Sequence, residues 1–276
     1  MSLLLFFSCG KRDFSSSKPT LLVSVAPYQK IVEKIAGDSF QVQTVVPPGS
    51  NPHAYEPTLR QIGAIGKGLI WFRIGESFEK KVFPVLQEKN PLLTDCDLRE
   101  GLSLIRESAC HCHHEVQEDR HFWLSPKILI PQVHTIANVL ASRFPEKQAT
   151  FQKNSEELIR ELDSLDIEIK TILEHAPSKS FLVSHAAFAY FCKEYDLHQF
   201  SIEYGGKEPT AKHLTQLMHE MQESKAKVAI AMPQHSNKGV ELIANKTGMH
   251  LHEIDPYASD YAETMRALAQ LMVQND

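Results

Sequence analysis

The feature that most constrains this chain is a change of periodicity partway along it. From Pro145 to His175, the residues Phe151, Leu158, Leu162, Leu165, Ile169 and Ile172 recur at helical spacing with charges between them. About thirty helical residues would reach roughly 45 Å, more than one small domain spans. A preceding stretch, 126–143, is also helical in pattern. On either side of this region the pattern changes to short apolar runs alternating with amphipathic segments. The long helix therefore reads as a rigid spine between two halves.

Both halves read as α/β. In the first, LLVSV (21–25), FQVQTVV (40–46) and LIWFRI (69–74) are predicted strands, with helices over 27–36, 57–67 and 78–89. Pro27 suits a helical first turn, and Pro47-Pro48-Gly49 ends the second strand. In the second, SFLVS (180–184), HQFSIE (198–203), KVAIAM (227–232) and MHLHEI (249–254) are predicted strands. Helices are predicted over 186–195, 210–223, 236–246 and 260–274. Alternation of this kind builds mostly parallel sheets. The expected organisation is a leader and tether over 1–18, an α/β lobe over 19–144, a linking helix over 145–176 and a second α/β lobe over 177–276. A ligand site is expected in the cleft between the lobes.

A net charge of −5 gives no electrostatic reason to bind nucleic acid. Near the start, the apolar run Leu3–Phe7 is followed by Ser8 and Cys9, as in a bacterial lipobox, and KRDFSSSKP then reads as a flexible tether. The run is shorter than a usual signal core, so either the true start lies upstream or this is a plain apolar terminus; we take the lipobox reading, with Cys9 as the lipidated residue. The other cysteines, Cys96, Cys110, Cys112 and Cys192, are too few for a disulfide framework.

Fourteen histidines direct attention to metal chemistry. His53, His121, His185 and Asp255 all sit where strands or turns hand over to helices, the positions from which α/β sheets present ligand groups. Two come from each half, so all four can face one cleft. Three imidazoles and a carboxylate form a closed tetrahedral shell suited to Zn²⁺. Their wide spacing carries no motif of its own, and a lone histidine beside an apolar strand is more often a packing residue.

Taken together, PPGSNPHAYEPT with His53, HFWLSP with His121, SHAAFAYF with His185, KEPTAKHL, MPQHSNKGVELIANKTG and Asp255-Pro256 resemble the metal-binding solute-binding proteins of ABC transporters, from about Val23 to the last helix. The resemblance implies a zinc-, manganese- or iron-capturing protein that serves a membrane permease from the periplasm or cell surface. It implies His53, His121, His185 and Asp255 as ligands, and two lobes joined by a long helix with little hinge motion. Histidine at the third position is the zinc-type choice, where manganese-type members often carry glutamate, in keeping with imidazole's preference for zinc. Two departures stand out: Arg120 replaces a proline before His121, and Pro52 stands where some zinc-type members carry an acid. Asp255 is then the expected fourth ligand, with a bound water as its rival.

The resemblance also makes CHCHHEVQEDRH (110–121) a short version of the histidine- and acid-rich loop of zinc-type members, with Cys110, His111, Cys112, His113 and His114 as auxiliary ligands. The alternative is a solvated polar loop. Glu203 and Glu208 are candidates for fixing a histidine tautomer, and His235 for a minor approach to the cleft. The chain is expected to be a monomer and not an enzyme. A zinc hydrolase is the main rival, but no H-E-x-x-H is present to supply a general base. A surface adhesin is the second rival, with metal capture still beneath it.

Overall fold

The computed structural model describes residues 18–108, 116–203 and 209–274. Cys9, Glu208 and the segment holding Cys110, His111, Cys112, His113 and His114 lie outside the described residues. The first half contains β1 (Thr20–Val23), α1 (Pro27–Ala36), β2 (Gln41–Thr44), α2 (Leu59–Ile65), β3 (Gly68–Arg73), α3 (Ser77–Lys89) and β4 (Thr94–Asp97). A short hairpin, β5 (Arg106–Ser108) and β6 (Val116–Glu118), leads to α4 (Pro126–Arg143) and the long α5 (Gln148–Leu173). The second half contains β7 (Ser180–Val183), α6 (Ala189–Tyr195), β8 (His198–Ser201), α7 (Ala211–Ser224), β9 (Val228–Ala231), α8 (Lys238–Thr247), β10 (His250–Glu253) and α9 (Tyr261–Leu271). The strand β4 and the hairpin add to the pattern expected from sequence, and Pro145–Lys147 forms a separate 3-10 turn ahead of α5.

The two sheets have the same topology. The first is ordered β2-β1-β3-β4 and the second β8-β7-β9-β10, with parallel pairing throughout. In each, the chain leaves the first strand to one side and returns on the other, so the carboxyl ends of the strands open on a crevice at that switch point. The central strands are apolar on both faces because helices cover both faces. Side-chain alternation divides the work. Leu21 and Val23 of β1 face a core shared with α1, α4 and α5, while Leu22 faces Ile62, Ile65 and Val82 of α2 and α3. In the second sheet Phe181 and Val183 face that same shared core, while Leu182 faces Leu217, Met221 and Ile243 of α7 and α8.

The shared core makes α5 a spine. Its buried stripe of Phe151, Leu158, Leu162, Leu165, Ile169 and Leu173 packs on α1 and α4 from the first half and on α9 from the second. Each of these leucines contributes roughly 1.5–3 kcal/mol by burial. Asp166 on the same face accepts the Tyr195 hydroxyl at 3.0 Å, which secures α6 to the spine. No helix among the described residues is long and apolar enough to cross a membrane.

Candidate metal centre

His53 sits in a 3-10 turn, Pro52–Ala54, whose start is capped by Asn51: the side-chain oxygen accepts the His53 backbone N–H at 2.9 Å. His121 follows β6, and its backbone N–H is held at 2.8 Å by Asp119 Oδ1. Trp123, two residues on, is buried and donates its indole N–H to the Pro256 carbonyl at 3.1 Å, joining this loop to the turn after β10. His185 comes two residues after β7, where Ser184 is buried and accepts the Met232 N–H at 3.1 Å.

The three imidazoles from the two halves meet. Their ring centres are 5.0 Å apart for His53 and His121, 5.2 Å for His53 and His185, and 5.2 Å for His121 and His185. With a zinc–nitrogen distance of about 2.0–2.1 Å, two imidazoles on one tetrahedral ion have ring centres about 5.2 Å apart. The near-equilateral triangle therefore fits one cation, and the ligand atoms of the three rings lie within 4.8 Å of one another.

Each ring is oriented by a carboxylate at its other nitrogen. His53 Nδ1 lies 3.0 Å from buried Glu76, His121 Nδ1 lies 2.8 Å from Asp119, and His185 Nδ1 lies 2.8 Å from Glu203. A carboxylate acceptor places the ring proton on Nδ1 and leaves Nε2 as a bare lone pair for a metal. Burial pushes His185 down to about 4 and keeps His121 well below the usual histidine range, so both rings are neutral near pH 7. Burial works against ionisation of Glu76, but His53 and Arg120 beside it hold its carboxyl below the usual range. Arg120 Nη1 lies 3.7 Å from Glu76, which gives the departure before His121 a role: it neutralises a carboxylate buried beneath the site.

His235 and Glu203 extend the cluster. Glu203 accepts from His185 with one oxygen and lies 3.0 Å from His235 Nδ1 with the other. The His235 ring stacks on His185 with centres 4.0 Å apart and planes 11° apart. His235 is thus a supporting ring behind His185, in keeping with the minor approach to the cleft expected of it. Asp255 is placed differently from the histidines. Among the described residues it is not in the ligand group, and its Oδ1 accepts the Gln234 side-chain N–H at 2.9 Å and the Tyr257 backbone N–H at 2.8 Å. Glu56 pairs with Lys81 at 2.8 Å, away from the imidazoles and outside the helix that begins at Leu59.

Sequence reasoning did not single out Glu76, Asp119 or Tyr257. Glu76 and Asp119 carry one available signal, an acid at a strand's carboxyl end or just before a ligand. Tyr257 carries only its place after Asp255-Pro256.

The model of the family described as "Zinc-uptake complex component A periplasmic" matches residues 21–275. A protein of Chlamydia trachomatis, named only provisionally as metal-binding, is 33% identical over 271 residues, covering 97% of this chain and 96% of its own. The high-affinity zinc uptake system protein ZnuA of Bacillus subtilis is 28% identical over 250 residues, covering 87% of this chain and 78% of its own. The crystal structure of a zinc-bound deletion mutant of ZnuA superposes with a TM-score of 0.86 at 31% identity, covering 94% of this chain and all of that one.

Proposed function

The chain belongs to the family of ZnuA, the periplasmic zinc-uptake component, and from that membership we propose that it captures Zn²⁺ outside the cytoplasm and hands it to the permease of an ABC-type importer. The observation that carries the reading is the triangle of His53, His121 and His185, with ring centres 5.0–5.2 Å apart and a carboxylate behind each ring. Imidazole donors favour zinc over manganese, which prefers oxygen. Zinc here is cargo, and the site must release it as well as hold it.

The ligands in this reading are the three histidines, with one further donor closing the shell. Asp255 is the donor expected from sequence; its bonds to Gln234 and the Tyr257 backbone both fall on Oδ1, which leaves Oδ2 as the oxygen it could offer. The neutral rings leave little proton competition at His121 and His185. Both halves contribute to the site and share one core across α5, which supports capture with little rotation of the lobes.

Transport rather than catalysis is supported by how the nearby acids are used. Glu76, Asp119 and Glu203 each face an Nδ1 atom, on the side of its ring away from the metal-facing Nε2, which is not where a general base for a metal-bound water would stand. The reading also includes a monomer tethered through Cys9, and an auxiliary metal store in the Cys110, His111, Cys112, His113 and His114 segment. Zinc and manganese titration of the metal-free protein, its His53→Ala variant and its His185→Ala variant tests the proposal. The expected result is tight zinc binding that manganese does not displace and that both substitutions weaken strongly. Unchanged affinity in both variants would remove the histidines from the site.

A further inference from the structure

We propose that the hydroxyl of Tyr257, rather than Asp255 or a water, is the fourth donor to the captured cation. The proposal rests on the three-imidazole reading above and adds the group that closes its shell.

The first support is geometric. Tyr257 Oη lies 2.9 Å from His121 Nε2 and 3.2 Å from His53 Nε2, and those two nitrogens are 3.2 Å from each other. Donor atoms on one tetrahedral zinc at about 2.0–2.2 Å stand roughly 3.2–3.5 Å apart. The three atoms therefore already form one near-regular face of such a shell. His185, whose ring centre is 5.2 Å from each of the other two rings, supplies the remaining vertex.

The second support is a proton count. His121 Nδ1 is hydrogen-bonded to Asp119 and His53 Nδ1 lies 3.0 Å from Glu76; with the ring protons on these Nδ1 atoms, both Nε2 atoms present lone pairs. The only hydrogen among the three atoms is that of the Tyr257 hydroxyl, and it can satisfy one nitrogen. The other faces an oxygen lone pair and a nitrogen lone pair at 3.2 Å. His185 Nε2 is buried with no hydrogen-bond partner, so it adds a further unsatisfied lone pair. A convergence of lone pairs in a buried site is completed by a cation. Oη contributes through a lone pair and need not lose its proton to do so.

The third support is placement. Tyr257 is 7% exposed, and its ring packs against Trp123 at 5.5 Å and His121 at 5.9 Å. Its backbone N–H is held by Asp255 Oδ1 at 2.8 Å, which gives Asp255 a different task, fixing the turn that aims the tyrosine.

The test uses the full chain as wild type, Tyr257→Phe and Asp255→Asn, with zinc affinity measured by chelator competition and the zinc-bound wild type solved by crystallography. Phe keeps the ring packing and removes only the oxygen. The expected results are a ten- to hundredfold loss in Tyr257→Phe, a smaller loss in Asp255→Asn through the turn it holds, and Oη within about 2.2 Å of zinc. Equal affinity in Tyr257→Phe, or zinc completed by Asp255 or water with Oη outside bonding distance, would overturn the proposal. Wild-type zinc affinity in a His185→Ala variant, measured alongside, would instead bring down the three-imidazole reading, a separate failure. The crystallographic distance decides the matter even if the Phe variant folds poorly.

Discussion

Trp123 and Pro256 are joined by an indole N–H to carbonyl hydrogen bond of 3.1 Å that couples the loop of His121 to the turn of Tyr257. Residues 133 positions apart in sequence are thereby held in one rigid unit beneath the site. Trp123→Phe should leave the carbonyl unpaired in a buried place and open a small void. The expected cost is about 2–3 kcal/mol of folding stability, read by urea denaturation, with a weaker zinc affinity in the same protein. Full stability in the variant would show that the bond does not hold the two segments.

Glu203 serves two rings at once, His185 and His235. Glu203→Gln keeps the shape but cannot accept from both Nδ1–H groups with both of its terminal atoms. Zinc affinity is expected to fall ten- to hundredfold by calorimetry, the usual cost of losing a group that orients a ligand. Circular dichroism should remain that of the wild type.

One buried carboxyl, that of Glu79, should stabilise the metal-free fold less as pH rises from mildly acid to neutral. Burial pushes its carboxyl up to about 7, although Ser24 and the backbone N–H groups of Ile74 and Gly75 donate to it. A folded-state value above the unfolded one means the folded chain holds the proton more tightly. That contribution is complete below about pH 4.5 and is lost as pH rises through about 7, at up to roughly 3 kcal/mol. Thermal melts of wild type and Glu79→Gln at pH 5 and pH 7.5 would check it. The difference in stability between the two proteins should shift in favour of the variant at the higher pH, and parallel profiles would rule the group out.

Replacing Cys110, His111, Cys112, His113 and His114 with serine should lower the total zinc bound per chain and leave the tightest site unchanged. Elemental analysis after dialysis gives the first quantity and chelator competition the second. An unchanged metal content would make the segment structural.

A leucine on the spine provides the last test. Leu162 is 3% exposed on α5 within the core shared by both sheets. Leu162→Ala should cost about 2–5 kcal/mol. Because one core serves both halves, unfolding should remain a single transition and not divide into two.

Much of this molecule is legible in its chain. Runs such as Leu21–Val23 and Phe181–Val183 announce buried strands because a strand covered by helices on both faces has no position to spare for a polar side chain. The stripe from Phe151 to Ile169 announces the spine because one helical face must be apolar to be buried. His53, His121 and His185 are legible from their places at the ends of strands and turns only together with the family resemblance of the segments that hold them. Of the partners gathered around those histidines, Glu203 is a candidate from sequence, whereas Glu76, Asp119 and Tyr257 are not. Glu76 reaches His53 from the loop after β3, Glu203 reaches His185 from the end of β8, and Tyr257 meets His53 across 204 residues. Local sequence sets which element a residue occupies, whereas those distances are set by strand order and by the shared core that fixes one sheet against the other. For the same reason Asp255, next to the site in sequence pattern, holds the Tyr257 backbone in space, and the hydroxyl two residues on faces the imidazoles.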